Sequence, residues 1–73
     1  MPTINVDLHG VKHEDVRRIL IAEIERHWDE GCDLIVVTGH SPQMRELVIE
    51  VVKEYLLDWE DGLHRGYLRI LAH

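Results

Sequence analysis

The sequence predicts a small α/β fold, and three observations lead to that prediction. Residues 3–9 alternate between apolar and polar side chains, as a strand with one buried face does. Two later segments have apolar residues three and four positions apart, which is the spacing of an amphipathic helix. An apolar run at residues 34–37 lies between them and is typical of a buried strand. The chain has 73 residues, which is enough for one domain.

We therefore expect a single domain over residues 1–73 with the element order βαβαβ. Right-handed connections between parallel strands would place both helices on one face of the sheet. The predicted fold class is a two-layer α/β sandwich on a mixed sheet of three strands, with four strands as the alternative. The other face of the sheet would carry no helix.

The first strand, residues 3–9, has a polar face that ends in reactive side chains. Its apolar residues stand at positions 4, 6 and 8, so Asn5, Asp7 and His9 share the opposite face. The run at 34–37 should be the central strand. A turn is predicted at residues 60–62, which contain an Asp-Gly pair, and a last strand at residues 67–71.

Both helices have recognisable ends. The first should span about residues 14–30, because apolar residues recur at 16, 19, 20, 24 and 28 and Gly31 suits the position after a helix. The second should start with Ser41 as its cap and Pro42 in its first turn, and it should end near residues 57–59.

Composition restricts the class of protein. Hydrophobic residues make up 45% of the chain and charged residues 30%, and no apolar run approaches the ~20 residues of a membrane span. The N-terminus has no basic-then-apolar leader, and Cys32, the single cysteine, can form no internal disulfide. We therefore expect a soluble cytoplasmic protein without membrane contacts.

The net charge of −6 argues against broad, non-specific binding of nucleic acid, because Lys and Arg side chains supply most of that affinity. The acidic residues are concentrated in the two helical segments, however. Lys12, Arg65 and Arg69 lie outside these segments, and Arg45 lies just inside the second. A local basic rim around the strand ends is therefore compatible with an acidic protein.

Two strand ends each carry a histidine beside a glycine. The first strand ends in DLHG (residues 7–10), and the second continues into TGH (residues 38–40). We expect Asp7 and His9 to lie within hydrogen-bonding reach of each other and close to His40. A carboxylate beside an imidazole suits proton transfer or the stabilisation of an anion. The structural alternative is that Asp7 and His9 only satisfy loose backbone groups at the strand end.

The first of these motifs resembles the signature of a known family. Residues 6–10 (VDLHG) satisfy the hydrophobic-Asp-x-His-Gly pattern of the small MutS-related (Smr) domain. The match continues through an amphipathic helix, an apolar strand and a helix that opens with Met44 and Arg45, similar to the family's Leu-Arg pair. The resemblance covers almost the whole chain. It implies a two-layer α/β fold, nucleic-acid binding and, as in several members, DNA-nicking or RNA-cleaving endonuclease activity.

The second motif departs from the family pattern. Where the family has His-Gly-x-Gly, residues 38–41 read TGHS, and Pro42 removes one backbone donor from the turn. His40 would supply the missing imidazole from two positions further along. The sequence therefore leaves open whether the domain cleaves nucleic acid or only binds it.

The first interpretation of the site is a centre that binds or cleaves a phosphodiester. His9 would act as general acid or base, Asp7 would orient it, and His40 would complete the catalytic set. A helix N-terminus favours a bound anion, so phosphate would lie near the start of the second helix. The nucleic-acid-binding residues of this interpretation are Gly10, Lys12, Thr38, Gly39, Ser41 and Arg45.

Two other interpretations stay open. A metal site of Asp7, His9 and His40 would have suitable ligands without the close spacing of the usual metal motifs, so no cofactor is predicted and a divalent metal stays open. The other interpretation is a catalytically inactive adaptor that binds a protein through the open sheet face. The residues concerned on that face are Tyr67, Arg69 and Leu71.

Overall fold

Within residues 3–62 and 66–71, the part of the chain that this computed structural model describes, there are four strands and two helices. Neither helix of this part is long and apolar enough to span a membrane. In chain order the elements are β1 (Thr3–Asp7), α1 (His13–Arg26), β2 (Asp33–Val37), α2 (Pro42–Glu54), β3 (Trp59–Asp61) and β4 (Tyr67–Ile70).

The sheet is mixed and has the strand order β1-β2-β4-β3. β1 and β2 pair in parallel, whereas β4 pairs antiparallel with both β2 and β3. The carboxyl ends of β1, β2 and β3 therefore lie at one end of the sheet, together with the start of β4. The predicted α/β fold class is confirmed, and the four-stranded alternative is the correct one.

The additional strand, β3, lies where the sequence predicted a turn, so the predicted turn at residues 60–62 is wrong. Trp59 pairs with Ile70 and Asp61 pairs with Leu68. The pairing then continues one step, because the Gly62 N–H donates to the carbonyl of the residue at position 67 at 3.2 Å. An Asp-Gly pair is a frequent turn signal, but here the glycine makes room for the aromatic ring opposite it. A Cβ at position 62 would lie 2.3 Å from that ring.

Both helices and one face of the sheet enclose an apolar core. Each helix buries the stripe that its spacing predicted, and the strands contribute alternate residues. The buried apolar residues are Val6, Leu8, Val16, Leu20, Ile24, Leu34, Val36, Met44, Val48, Val51, Val52, Leu68 and Ile70.

α1 ends earlier than the sequence predicts, at Arg26 instead of near Glu30. After Arg26 the chain tightens into turns in which the Trp28 N–H donates to the Glu25 carbonyl at 3.4 Å and the Glu30 N–H to the His27 carbonyl at 3.2 Å. Trp28 continues the apolar spacing of the helix and packs against the core. The apolar spacing of α1 therefore continues beyond Arg26, the last residue of the helix.

α2 also ends before its predicted limit, at Glu54. The Leu57 N–H donates to the Val52 carbonyl and the Leu56 N–H to the Lys53 carbonyl, both at 3.1 Å, which is the Schellman pattern that closes a helix. Leu56 adopts the left-handed conformation of this motif, with φ = +55°. Glycine is the usual residue there, so leucine gave no sequence signal for the helix end.

The face of the sheet away from the helices is formed by the polar side of β1 and by half-buried side chains of β2 and β4. The Arg69 guanidinium crosses this face and donates two hydrogen bonds to Oδ2 of Asp33, at 2.8 and 2.6 Å. Beside this ion pair, the register aligns two rows of residues, Asn5-Ile35-Arg69 and Asp7-Val37-Tyr67.

Candidate functional site

β1 continues into a tight turn that presents His9 to solvent. The Val11 N–H donates to the Leu8 carbonyl at 3.0 Å, which closes a four-residue turn. Gly10 has φ = +81°, whereas His9 does not have a positive φ, so the turn is of type II. Leu8 is fully buried and His9 is exposed. The conformation of Gly10 thus explains the glycine of the motif in local structural terms.

The side chain of Asp7 holds the backbone of this turn in place. Its Oδ1 accepts a hydrogen bond from the backbone N–H of His9 at 2.9 Å. This is the side-chain-to-backbone bond of the structural alternative. Among the residues that the structure describes, no hydrogen bond joins the Asp7 carboxylate to the His9 ring. Asp7 therefore positions the segment that carries the imidazole.

β2 continues into a turn whose polar groups form hydrogen bonds mainly with other groups of the protein. Thr38 is only 2% exposed, and its hydroxyl donates to the carbonyls of Gly39 and Gly66, at 3.0 and 3.4 Å. The backbone N–H groups of Thr38 and Gly39 also donate to the Gly66 carbonyl, at 2.9 and 3.0 Å. Ser41 caps α2, because its Oγ accepts from the Met44 N–H at 3.2 Å.

The two turns meet at His9 and Gly39. The His9 ring lies against the backbone of Gly39, so closely that a Cβ at position 39 would lie 2.9 Å from Cδ2 of the ring. Gly39 also has φ = +67°, a conformation that other residues avoid. The structure thus brings His9 beside the segment that carries His40, whose side chain is exposed. The ends of β1 and β2 consequently form one surface.

Arg45 lies apart from this contact. Its Nη2 forms an ion pair with Oδ1 of Asp61, at the carboxyl end of β3, whereas His9 follows β1, and these strands are the opposite edges of the sheet. The Arg45 side chain is 24% exposed, and its Nη1 is buried with no hydrogen-bond partner in the described part of the chain. A phosphate at Arg45 would have to compete with the Asp61 carboxylate.

The local positive charge is smaller than the sequence suggests. Arg45 and Arg69 are each paired with an aspartate. Lys12, just before α1, is exposed and has no ion-pair partner among residues 3–62 and 66–71. Arg65, the remaining member of the predicted basic rim, lies outside the described residues. Lys12 is therefore the described cation best placed to reach a ligand beside His9.

The two helix N-termini at this end of the sheet differ in charge. The first turn of α1 carries Glu14 and Asp15, which offset the positive end of its dipole. The first turn of α2 carries no acidic residue. The start of α2, beside His40 and Ser41, is therefore the more favourable place for an anion.

The geometry does not support the metal interpretation. Within the two described ranges, no three His, Cys, Asp or Glu side chains form a group that could hold a metal ion. Asp7, His9 and His40 therefore do not make such a group, and the Asp7 carboxylate accepts a backbone N–H instead.

Sequence reasoning did not identify two residues that complete this end of the sheet. The Gly66 carbonyl accepts the N–H groups of the β2–α2 turn, and Asp61 holds Arg45. The Gly66 contacts continue the pairing of β2 with β4, whereas the Asp61 contact depends on the pairing of β3 with β4. No sequence signal indicated Asp61, because Trp59–Asp61 is too short to show a period and is followed by the glycine that predicted a turn.

The sequence matches no protein-family model and no curated protein. Among solved structures, the fold is similar to the crystal structure of the human small-MutS related domain, with a TM-score of 0.63 and 21% sequence identity. The match covers 93% of this chain and 99% of that chain. The protein therefore has the fold of a small-MutS related domain, as the sequence resemblance implied.

Proposed function

We propose that this chain is a nucleic-acid-binding domain that contacts the phosphodiester backbone with the turns after β1 and β2. The observation that carries the proposal is the contact of the His9 ring with Gly39. This contact joins His9 to the segment that carries His40 and to the start of α2. The VDLHG motif at residues 6–10 and the likeness of fold support the same proposal.

The donors at this surface suit a phosphate. An exposed imidazole N–H can donate a hydrogen bond to a phosphate oxygen, and Lys12 adds a positive charge. The phosphate would lie over the start of α2, where the helix dipole is positive and the first turn has no carboxylate. The backbone N–H groups of Thr38 and Gly39 would act indirectly, by holding the turn to Gly66.

The binding should be local, with few phosphate contacts. The net charge of −6 opposes broad contact with a polyanion, and the arginines at positions 45 and 69 are already paired. Each neutralised phosphate changes the slope of log affinity against log salt by about 0.7 to 0.9. We therefore expect a shallow slope of about 1 to 2.

Cleavage of the phosphodiester is the further step of this proposal. His9 would act as general base that takes a proton from the attacking water, or as general acid that gives a proton to the leaving oxygen of the broken P–O bond, because its ring is exposed and lies against the Gly39 backbone. Asp7 would be a positioning residue, since its carboxylate holds the backbone N–H of His9. His40 would contact the phosphate from the neighbouring turn.

The test is an NMR titration with short single-stranded, duplex and branched DNA and RNA, combined with a cleavage assay on the same substrates. Signals of residues 9–12 and 39–43 should shift on binding. His9→Ala should weaken binding and abolish cleavage, whereas His13→Ala, which removes another exposed histidine close by, should change neither. Absence of shifts at these turns with every substrate would contradict the proposal. If the unaltered chain binds these substrates without cleaving them, the binding function stands and the proposed nuclease activity is wrong.

A protein-binding adaptor is the second candidate, and the open sheet face favours it. Ile35, Val37 and Tyr67 are only half-buried there. An apolar patch of this kind beside polar groups is typical of a docking surface. Ile35→Thr keeps a β-branched residue and should reduce recovery of a partner from cell extract, whereas Glu46→Gln, at an exposed position of α2 on the other side of the sheet, should not. Equal recovery by both variants would remove this face from consideration.

A further inference from the structure

A second concave surface lies at the opposite end of the molecule, where both helices end. α1 starts beside the carboxyl end of β1 and ends before β2 begins, so its last turn lies near the amino ends of these strands. A cleft of about 400 Å³ is found there, lined by Glu25, Trp28, Asp29 and Tyr55. The 14 residues of α1 span about 20 Å, which separates this cleft from the His9 surface.

Two aromatic rings form the apolar wall of the cleft. The ring centroids of Trp28 and Tyr55 are 5.9 Å apart, and the ring planes are inclined by 59°. Both side chains are half-buried and pack against the core, so their positions are well defined. The faces of Trp and Tyr rings attract cations through their quadrupole.

Two carboxylates complete the cleft. The Tyr55 hydroxyl donates to Oε1 of Glu25 at 3.1 Å, so this carboxylate is held beside the aromatic rings. Burial and this hydrogen bond raise the pKa of Tyr55, so the phenol remains a neutral donor. Asp29 also lines the cleft, is exposed and adds a second negative charge.

The backbone adds to this negative field. α1 and α2 both end beside the cleft, and the C-terminal end of a helix dipole is negative. Arg26 and Lys53 lie in the last turns of the helices, but neither of them lines the cleft. The surface between the two aromatic rings and the two carboxylates is therefore complementary to a positive charge.

We propose that this cleft binds a lysine or arginine side chain presented by a basic segment of a partner protein. An aromatic face and a carboxylate are the two groups that recognise an ammonium or a guanidinium, and here they share one concave surface. Charge selects this occupant, because carboxylates beside two helix C-termini repel the phosphates of nucleic acid. Since the cleft and the His9 surface lie at opposite ends, a basic segment and a nucleic acid would bind at the same time.

The experiment is an NMR titration of the whole chain with a short acetylated and amidated glycine peptide that has one central arginine or lysine. The same peptide with a central glutamine is the neutral probe. The charged peptides should shift the signals of Trp28, Asp29 and Tyr55, and the neutral peptide should not. Glu25→Gln should weaken binding by about five- to tenfold. Glu46→Gln, which removes an exposed carboxylate in the first half of α2, should leave it unchanged.

Two results would overturn the proposal. Equal weakening by Glu25→Gln and Glu46→Gln would indicate general attraction to an acidic surface, and equal binding of the neutral peptide would exclude recognition of charge. Asp29→Asn serves as a second variant, and urea unfolding of each variant confirms that it is folded. Nucleic acid should leave the Trp28 signals in place, so this proposal and the nucleic-acid function fail independently.

Discussion

His9 and Gly39 are in contact so close that a side chain at position 39 would have to displace the His9 ring. A Cβ there would lie 2.9 Å from Cδ2 of the His9 ring. Gly31 has the same φ of +67°, but a Cβ at that position would have nothing within 4 Å. The two glycines therefore separate the effect of backbone conformation from the effect of the contact with His9.

Gly39→Ala should destabilise the protein more than Gly31→Ala does. Both variants carry the strain of a left-handed residue, about 1–2 kcal/mol, but only Gly39→Ala must also displace the His9 ring. Urea unfolding measures the two free energies, and the ring-proton signals of His9 report its position. We expect those signals to move and nucleic-acid binding to weaken in Gly39→Ala alone. Equal unfolding free energies with an unchanged His9 spectrum would show that the contact does not exist.

Asp7→Asn should be tolerated far better than Asp7→Ala. The Asp7 carboxylate accepts a hydrogen bond from the backbone N–H of His9, and the side-chain amide oxygen of asparagine can accept the same bond. Loss of the acceptor should cost about 1 kcal/mol in the alanine variant. The measurements are urea unfolding and cleavage or binding by each variant. If Asp7→Asn were as damaging to function as Asp7→Ala, the negative charge itself would be required, and a purely positional role would be wrong.

Asp61→Asn should increase the affinity for nucleic acid. Arg45 is paired with Asp61, so removal of that charge leaves the guanidinium available to a phosphate. The slope of log affinity against log salt should become steeper by about one unit, because one more phosphate would be neutralised. Asp58→Asn, which removes an exposed carboxylate before β3, is the matched control. If both variants bind equally, Arg45 is not a nucleic-acid contact.

The main elements of the fold could be predicted because burial leaves a period in the sequence. The polar–apolar alternation of β1 and the stripes of α1 and α2 correspond to residues that are in fact buried. β3 could not be predicted, because a three-residue edge strand has too few residues to show a period. The end of α2 was missed because Leu56 occupies a position where glycine is the usual signal.

The candidate site could be predicted only in part, because the sequence pattern indicates which segments meet but not which atoms are in contact. The motif around His9 and the turn after β2 indicate adjacent strand ends, and the contact of His9 with Gly39 brings those two segments together. Which atom a side chain contacts is decided by tertiary packing. Asp7 reaches a backbone N–H instead of the ring, and Arg45 reaches Asp61 through the register of β3 with β4.

Leu56→Gly should stabilise the protein. Leu56 has φ = +55° and a side chain that is 92% exposed, so it carries the cost of a left-handed conformation without a packing contribution from burial. Glycine adopts this conformation freely, and we expect a gain of about 1 kcal/mol, partly offset by the greater freedom of the unfolded chain. Leu56→Ala is the control, because it keeps the Cβ and should change the free energy of unfolding little. A loss of stability in Leu56→Gly would mean that Leu56 makes contacts that stabilise the fold.

The contribution of Glu54 to stability should disappear in acid. Arg17 of α1 donates hydrogen bonds to both carboxylate oxygens of Glu54 in α2, one of them at 2.7 Å. These hydrogen bonds, with the charge of Arg17, lower the pKa of Glu54 below its ordinary value of 4.5. A lowered folded pKa gives a contribution that is present above the unfolded pKa and is lost as the pH falls through the folded pKa. The exposed position of both side chains makes the contribution small and sensitive to salt.

Glu54→Gln should therefore be less stable than the unaltered chain at neutral pH, and the difference should shrink as the pH falls below the unfolded pKa of Glu and through the lowered folded pKa. Thermal unfolding across this range, at low and high salt, measures the difference directly. Glu46→Gln removes an exposed carboxylate that has no ion pair within the described residues, and it should not reproduce this trend. A difference between the unaltered chain and Glu54→Gln that stays constant with pH would show that the ion pair does not contribute to stability in solution. If the stability difference between the two proteins disappears both in acid and in high salt at neutral pH, the difference is due to the charge of Glu54 and not to the shape of its side chain.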